Sequence, residues 1–461
     1  MNASYVTEPQ LTGIWVSNFK CFREPTLVPV GKLTLLFGAN GTGKTSFLQI
    51  VGLLGMLDQL EGEDGVCDQI ALLPGDAEQS LKELRCDPSR KLIVGFRFTA
   101  VQIRSSNLAS EQSTTDEVDR PQVAPRPITQ HSPPFGAKES FDYQVTLELN
   151  EAGRWRGDQV HIRMDGHPLA DVHLNHGEPD YSVGNEGESR WRLSTESEWQ
   201  ETTQAAVGPL SKLWDSMRLI GVSGPTTPEG EMMRLFQDAS NAFRKYSHKL
   251  SRVGPIRIIP KAVSLRSRRD TGNDPEWWDR LLEDRNLLKL VNVWMSQPAK
   301  FGLGFEFQVT GERDLQLLDL RTGKRTALRD IGSGYSFIFP VVVDALHCPD
   351  NFIVQQPELH LHPRMQTVLG DLFLIRMKFF LESTTFVETH SEHLLLRIMK
   401  RLRESSVAEG RYGDDQSKIS IACFTQDADG AHVERIELAP DGTLMDPWPG
   451  GFFDEDLKEF L

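Results

Sequence analysis

The sequence predicts an α/β fold organised around a phosphate-binding loop, and three observations carry that reading. The run KLTLLFGANGTGKTSFLQIVGLLGML, Lys32 to Leu57, sets Gly38-x-x-x-x-Gly43-Lys44-Thr45 between an apolar stretch and an apolar helical pattern. That strand, loop and helix order is the setting the motif requires. At Arg90 to Thr99, Phe141 to Leu149 and Val160 to Met164, apolar residues alternate with polar ones as in antiparallel strands with one buried face. Beyond Asp330, the runs NFIVQQPELHLHP and TTFVETHSEHLLLRI each read as a buried strand that ends in polar residues.

Taken in order, short strands over Ile14 to Phe19, Thr26 to Val30 and Leu33 to Phe37 lead into the loop, and Arg90 to Thr99 gives another with Leu92, Val94, Phe96 and Phe98 on one face. From Ser105 to Ser140 the chain is rich in Ser, Thr, Pro and Gln, the composition of a flexible insertion. Strands resume at Phe141 to Leu149 and around Val160, Ile162 and Met164. Helical patterns follow over Pro209 to Ile220, Glu229 to Leu250 and Pro275 to Met295, the last with a Trp and Leu stripe that reads as interhelix packing. Strand signals return at Gly304 to Val309 and Leu315 to Leu320. The nucleotide machinery is therefore split by a long insertion, an arrangement unlike a compact GTPase or kinase. The domain boundaries expected are 1–100 for the N-terminal half of the head, 101–140 for the flexible insertion and 141–250 for a β and helical lobe. The second half of the head takes 251–410, and a small extension takes 411–461.

At 461 residues the chain has room for more than one domain, and its formal net charge of −15 argues against a general electrostatic attraction to nucleic acid. Basic segments at Arg257 to Arg269, Lys324 to Arg329 and Arg397 to Arg403 read first as solvated faces. The 5 cysteines lie far apart without CxxC spacing, which suggests neither a zinc site nor a disulfide framework and fits a reducing cytoplasm. No signal peptide or membrane-spanning run is apparent.

In the loop, Gly38, Gly41 and Gly43 allow backbone conformations in which successive N–H groups point at phosphate oxygens, backed by a helix N-terminus. Asn40, Gly41, Thr42, Gly43, Lys44, Thr45 and Ser46 are the candidate ATP-binding residues. Lys44 would reach the β and γ phosphates, and Thr45 would ligate Mg²⁺.

In the second half, DIGSGYSF (Asp330 to Phe337), NFIVQQPELHLHP (Asn351 to Pro363) and TTFVETHSEHLLLRI (Thr384 to Ile398) follow one another in a telling order. This resembles the signature, Walker B, D-loop and switch-histidine blocks of ABC-type ATPases, most of all the OLD, RecF and SMC-related branch. It looks closest to the AAA-annotated ATPases of bacterial antiphage modules of the PARIS and Septu types, with blocks N-x-G-x-G-K-[ST], P-E-x-H-L-H-P and E-T-H-S-E. The tail DPWPGGFFDEDLKEFL resembles the small C-terminal extension of such proteins. The resemblance covers residues 11–57 and roughly 250–461. It implies an ABC-type P-loop ATPase head with an antiparallel β lobe, an inserted helical lobe and that extension.

Carried over, the resemblance implies that Ser333, Gly334 and Ser336 approach the γ-phosphate bound by a second subunit, so that ATP is sandwiched in a homodimer or within a larger ring. It places Gln355 at the Mg²⁺ position of Walker B, Gln356 at the catalytic position and His390 as the switch histidine. Both Walker B positions, acidic in most relatives, are amides here. Glutamine can hydrogen-bond a water but cannot take its proton, so ATP binding is expected to persist with hydrolysis impaired. Glu358 is the nearest carboxylate and a substitute candidate. The histidines His360, His362, His390 and His393 also admit a transition-metal reading, but no carboxylate cluster of ligand spacing completes it.

Nothing resembles a nuclease: no acidic TOPRIM cluster follows residue 400, and no HNH pattern occurs. The resemblance therefore implies a cytoplasmic sensor or scaffold ATPase that holds a separately encoded effector, a nuclease, until a phage protein triggers its release. The alternative is a RecF-like, DNA-binding repair or maintenance ATPase that engages duplex through the basic segments.

Overall fold

Leu33–Gly38 is a strand of unbroken apolar character apart from Thr34, and every residue in it is buried. That pattern suits a parallel strand covered on both faces. We label it β1, with β2 Leu250–Val253, β3 Asn351–Gln355, β4 Thr385–Glu388, β5 Ile419–Asp427 and β6 Gly430–Ile436. They form one sheet in the order β2-β3-β4-β1-β5-β6. Neighbours from β2 to β5 run parallel, and β6 closes the edge as an antiparallel hairpin with β5. The structure, a computed structural model, describes residues 3–5, 10–56, 66–104, 138–164, 167–173, 188–195, 198–205, 250–255, 257, 276–310, 314–326, 333–347, 350–407, 415–445 and 448.

The helices are α1 Lys44–Leu54, α2 Glu276–Glu283, α3 Arg285–Ser296, α4 Ser333–His347, α5 Pro363–Phe379 and α6 Glu392–Val407. One face of the sheet packs on α1, where Phe47 meets the rings of Phe386 and Phe424. On the other, Leu33, Leu35, Phe37, Val354, Val387 and Ile421 join one continuous core with Val342 of α4, Phe373 of α5 and Ile398 of α6. The ends of these helices are written locally. His362 caps α5 by accepting the Arg364 N–H at Nδ1, with Pro363 in the first turn. The Ser391 hydroxyl accepts the Leu394 N–H to cap α6, whose first turn carries Glu392 toward the positive helix end.

A buried guanidinium ties the far end of this layer together. Arg376 donates to the Ala345 and Asp350 carbonyls and to the Ser383 and Thr385 hydroxyls, while stacking near Phe352 and Phe380. It anchors the end of α4 and the start of β4 to α5.

Contacts divide the chain into two units: Met1–Thr12, Phe96–Gln144 and Gln159–Phe243 form one, and Gly13–Gly95, Val145–Asp158 and Arg244–Leu461 the other. The phosphate loop and the later motifs all belong to the second. In the first, strands His167–His173, Glu188–Thr195 and Glu198–Ala205 pair antiparallel, and Arg97 grips Asp142 through two short bonds. In the second unit, Gly13–Val16 pairs antiparallel with Thr26–Pro29, and Phe305–Thr310, Asp314–Asp319 and Arg325–Thr326 form a small antiparallel sheet.

The α/β class with antiparallel strands between its halves is as the sequence predicts. The Pro275 to Met295 pattern, expected as one helix, is two. Asp284 takes an extended conformation and its carboxylate accepts the N–H groups of Asn286 and Leu287, so it stops α2 and caps α3. The expected helices at Pro209 to Ile220 and Glu229 to Leu250 lie outside the described residues, apart from Leu250, which opens β2. The same holds for the Ser105 to Ser140 insertion, save that a strand already begins at Lys138, and for the C-terminal tail apart from Trp448. No helix among the described residues is long and apolar enough to cross a membrane.

Candidate functional site

Open α/β sheets bind ligands in the crevice beyond the carboxyl ends of their strands, and every expected site residue that the structure describes at an element end falls there. β1 stops at Gly38, whose φ of 138° is matched by a crowded setting: a Cβ would stand 2.3 Å from the Phe424 carbonyl oxygen. At Gly43, φ is 107° and a Cβ would come within 2.7 Å of the Cys21 sulfur. Both positions therefore demand glycine for conformation and for space. The Thr42 hydroxyl donates to the Ala39 carbonyl and pins the loop. Asn40, Gly41 and Thr45 are exposed at the mouth, with Ser46 half-buried behind them. Helix α1 begins at Lys44 with no side-chain cap, leaving its N-terminal dipole and amides to a bound anion.

Lys44 is buried and folds back over the loop, donating to the carbonyls of Gly38 at 2.8 Å and Ala39 at 2.7 Å. Burial pulls its pKa down, while the carboxylates of Glu388 and Glu358 act in the other direction. An ammonium so placed is half-desolvated in advance and gains by meeting phosphate charge.

The carboxylate beside Thr45 belongs to Glu388, the last residue of β4. The Thr45 hydroxyl lies 3.2 and 3.3 Å from its two oxygens, and Glu388 is 5% exposed. Gln355, expected at the Mg²⁺ position, sits one strand further away, in register with Glu388. Its side chain is occupied at both ends. Its Nε2 donates to Glu388 at 2.8 Å, and its Oε1 accepts from Arg252 Nε at 2.9 Å and Nη2 at 2.6 Å. Arg252 is held in turn by the Asp76 carboxylate and the Pro74 carbonyl.

Gln356 follows in the left-handed region at φ 46°, with its N–H on the Glu388 carbonyl. Its own carbonyl and that of Gln355 both accept from Arg257 Nη2 at 2.9 Å, and Arg257 also reaches the Phe337 carbonyl in α4. Burial brings Arg257 down to about 10, so it remains charged at neutral pH. The first basic segment thus opens on an internal clamp, a correction to its reading as a solvated face. Arg397 and Arg401 in the third are likewise committed, both to Asp371 of α5. Residues 258–275 and 327–329 lie outside the described part.

Glu358 comes round under His390. Its Oε1 accepts the His390 N–H at 2.7 Å, and its buried Oε2 has no hydrogen-bond partner among the described residues. Burial pushes the carboxyl above the usual range, against the pull of the His390 amide and of Arg257. His390 is itself shifted down by burial and by Lys44, which favours its neutral form. A carboxyl raised in this way holds its proton more firmly folded than unfolded. Its contribution to stability is therefore greatest at acid pH and is lost as pH climbs from the ordinary carboxylate range through the folded value. The expected result is that Glu358→Gln flattens the decline of melting temperature as pH rises above the ordinary carboxylate range. Parallel parent and variant profiles would show that the carboxyl titrates normally.

The signature-like block packs on the D-loop-like one. α4 begins at Ser333, Ser336 lies in the same first turn, and a Cβ on Gly334 would meet the His360 carbonyl oxygen at 2.6 Å. Asp330 is outside the described residues. The four histidines do not converge: His360 is exposed against the Phe337 edge, His362 caps α5 and His393 is exposed on α6, while no group of three metal-binding side chains occurs among the described residues. Sequence reasoning passed over Glu388, Arg252 and Asp76. A signal was present for the first, an acid closing the otherwise apolar run TFVE just before Thr389 and His390.

No family model matches the chain, and no curated protein does. Among solved structures it is similar to the SMC head domain from Thermotoga maritima, at 10% identity and TM-score 0.37 over 93% of this chain and 100% of that one. It is similar also to an Smc head with an extended coiled coil bound to the C-terminal domain of ScpA, derived from Pyrococcus furiosus, at 11% identity and TM-score 0.36 over 93% and 96%. Likeness this low carries no weight for function. The α/β class expected from the sequence is seen in the chain's own topology. The phosphate-loop strand is central, α4 leads into β3, and β4, which ends two residues before His390, lies between β3 and β1.

Proposed function

We propose that this protein binds ATP with Mg²⁺ at the loop from Asn40 to Ser46 and hydrolyses it slowly. The observation that carries the reading is the placement of Lys44 and Thr45 at an uncapped helix start, facing a buried carboxylate at the carboxyl edge of the sheet. The residues suit the ion. Oxygens on adjacent octahedral positions of Mg²⁺ lie about 3 Å apart, close to the spacing of the Thr45 hydroxyl from Glu388. When bound, Mg²⁺ supplies charge neutralisation on the phosphate oxygens. Lys44 and the α1 amides bind and orient the phosphates, Gln356 positions a water whose proton it cannot take, Glu358 accepts that proton, and neutral His390 contacts the γ-phosphate.

The wider role we propose is a cytoplasmic antiphage sensor or scaffold. Two heads close over ATP through Ser333, Gly334 and Ser336, within a dimer or larger ring, and hold a separately encoded nuclease effector until a phage protein is sensed. The motif blocks quoted above support this, as does the packing of Gly334 on His360, which puts two partner-facing blocks side by side. The DNA-binding alternative has less support, because Arg257, Arg397 and Arg401 spend their charge inside the fold. ATP should convert the chain to a species of at least twice its mass by light scattering, reversed on nucleotide removal. An unchanged mass at saturating ATP would sink the composite-site reading.

A further inference from the structure

We propose that the divalent cation of this site is held by Glu388, reached from the strand next to the phosphate loop, and that Gln355 and Arg252 are positioning residues for that carboxylate. The inference rests on the nucleotide reading above. Its basis is a polarity argument at Gln355. One end of that side chain faces a guanidinium and must accept; the other faces a carboxylate oxygen at 2.8 Å and must donate. Only an amide satisfies both. A glutamate there would serve Arg252 equally well but would set two carboxylate oxygens against each other.

The register explains why the acid can move. Gln355 of β3 is level with Glu388 of β4, and Glu388 is level with Leu36 of β1. Neighbouring strands are about 4.8 Å apart, so an acid on β4 starts one strand nearer the loop than one on β3 does. Both Glu388 oxygens already stand within 3.3 Å of the Thr45 hydroxyl. Asp76 and the Pro74 carbonyl hold Arg252, Arg252 holds Gln355, and Gln355 turns the carboxylate edge toward Thr45. One carboxylate and one hydroxyl also make an ordinary protein share of a Mg²⁺ shell, the rest coming from phosphate and water.

The full chain is tested with Mn²⁺ as the probe. ATP affinity is measured by calorimetry in EDTA, and Mn²⁺ affinity of the ATP-loaded protein by the free-ion paramagnetic resonance signal. Glu388→Gln should bind ATP in EDTA at least as tightly as the parent, since it removes a negative charge beside the phosphates, while losing at least about tenfold in Mn²⁺ affinity, and Gln355→Leu should lose roughly tenfold to a hundredfold through misorientation. Glu388→Asp, which keeps the charge but withdraws it by one methylene, guards against a folding defect and should also weaken Mn²⁺. Parent-like Mn²⁺ affinity in both Glu388 variants would overturn the proposal while leaving ATP binding intact. A parent chain that binds no ATP even in EDTA would be a different failure, that of the nucleotide reading itself.

Discussion

Lys44→Ala is expected to abolish measurable ATP binding, the largest effect of any single replacement in this chain. Lys44 is the one cation of the loop motif itself, and its Nζ already reaches the carbonyls of Gly38 and Ala39 at the mouth of the helix. Without it, several phosphate charges are left to backbone amides alone. The fold should tolerate the change. Ala39 is exposed, so water can replace the lost donor at its carbonyl, and the alanine also removes a cation that burial disfavours. Hydrogen bonds from a charged donor are worth about 1.5–3 kcal/mol each, and the relieved desolvation offsets part of that loss. Calorimetry reads the affinity and thermal melting the fold. Equal ATP affinity in variant and parent would end the phosphate-loop assignment.

The loop was readable because its chemistry is local: one stretch of chain holds the strand, the glycines, the cation and the helix. The same holds for the buried strands, since β3 and β4 are short apolar runs closed by polar residues and β1 is one closed by Gly38. What sequence could not show is which polar end meets which. Thr45 and Glu388 are 343 positions apart, and only the parallel pairing of β4 with β1 brings them together. Arg252 finds Gln355 because β2 pairs with β3 across 103 positions. Arg257 looked like the start of a solvated basic run because charge is the visible property of arginine. Its four donor contacts to backbone carbonyls are set by the turn after β2, by the end of β3 with the turn that follows it, and by α4. The break at Asp284 is a different case. An aspartate inside an apolar helical pattern can be a surface residue or a cap, and the extended backbone that decides between them is invisible to periodicity.

Glu358→Gln is expected to remove most of the ATP turnover this chain retains, by roughly a hundredfold or more, with ATP affinity unchanged. The family resemblance puts Gln356 at the catalytic position, and a glutamine there can orient water but cannot accept its proton. The structure brings Glu358 into the same turn, with one oxygen on the His390 N–H and the other buried without a hydrogen-bond partner among the described residues. Burial raises that carboxyl, and a carboxylate more basic than the ordinary one accepts a proton more readily. Gln356→Glu, which supplies a carboxylate at that position, should raise turnover above the parent. In the Glu358→Gln background it should restore what was lost. Single-turnover measurements separate the chemical step from product release. If Glu358→Gln turns over at the parent rate while its melting temperature changes, Glu358 is a buried acid that holds the His390 loop, and the proton acceptor lies elsewhere.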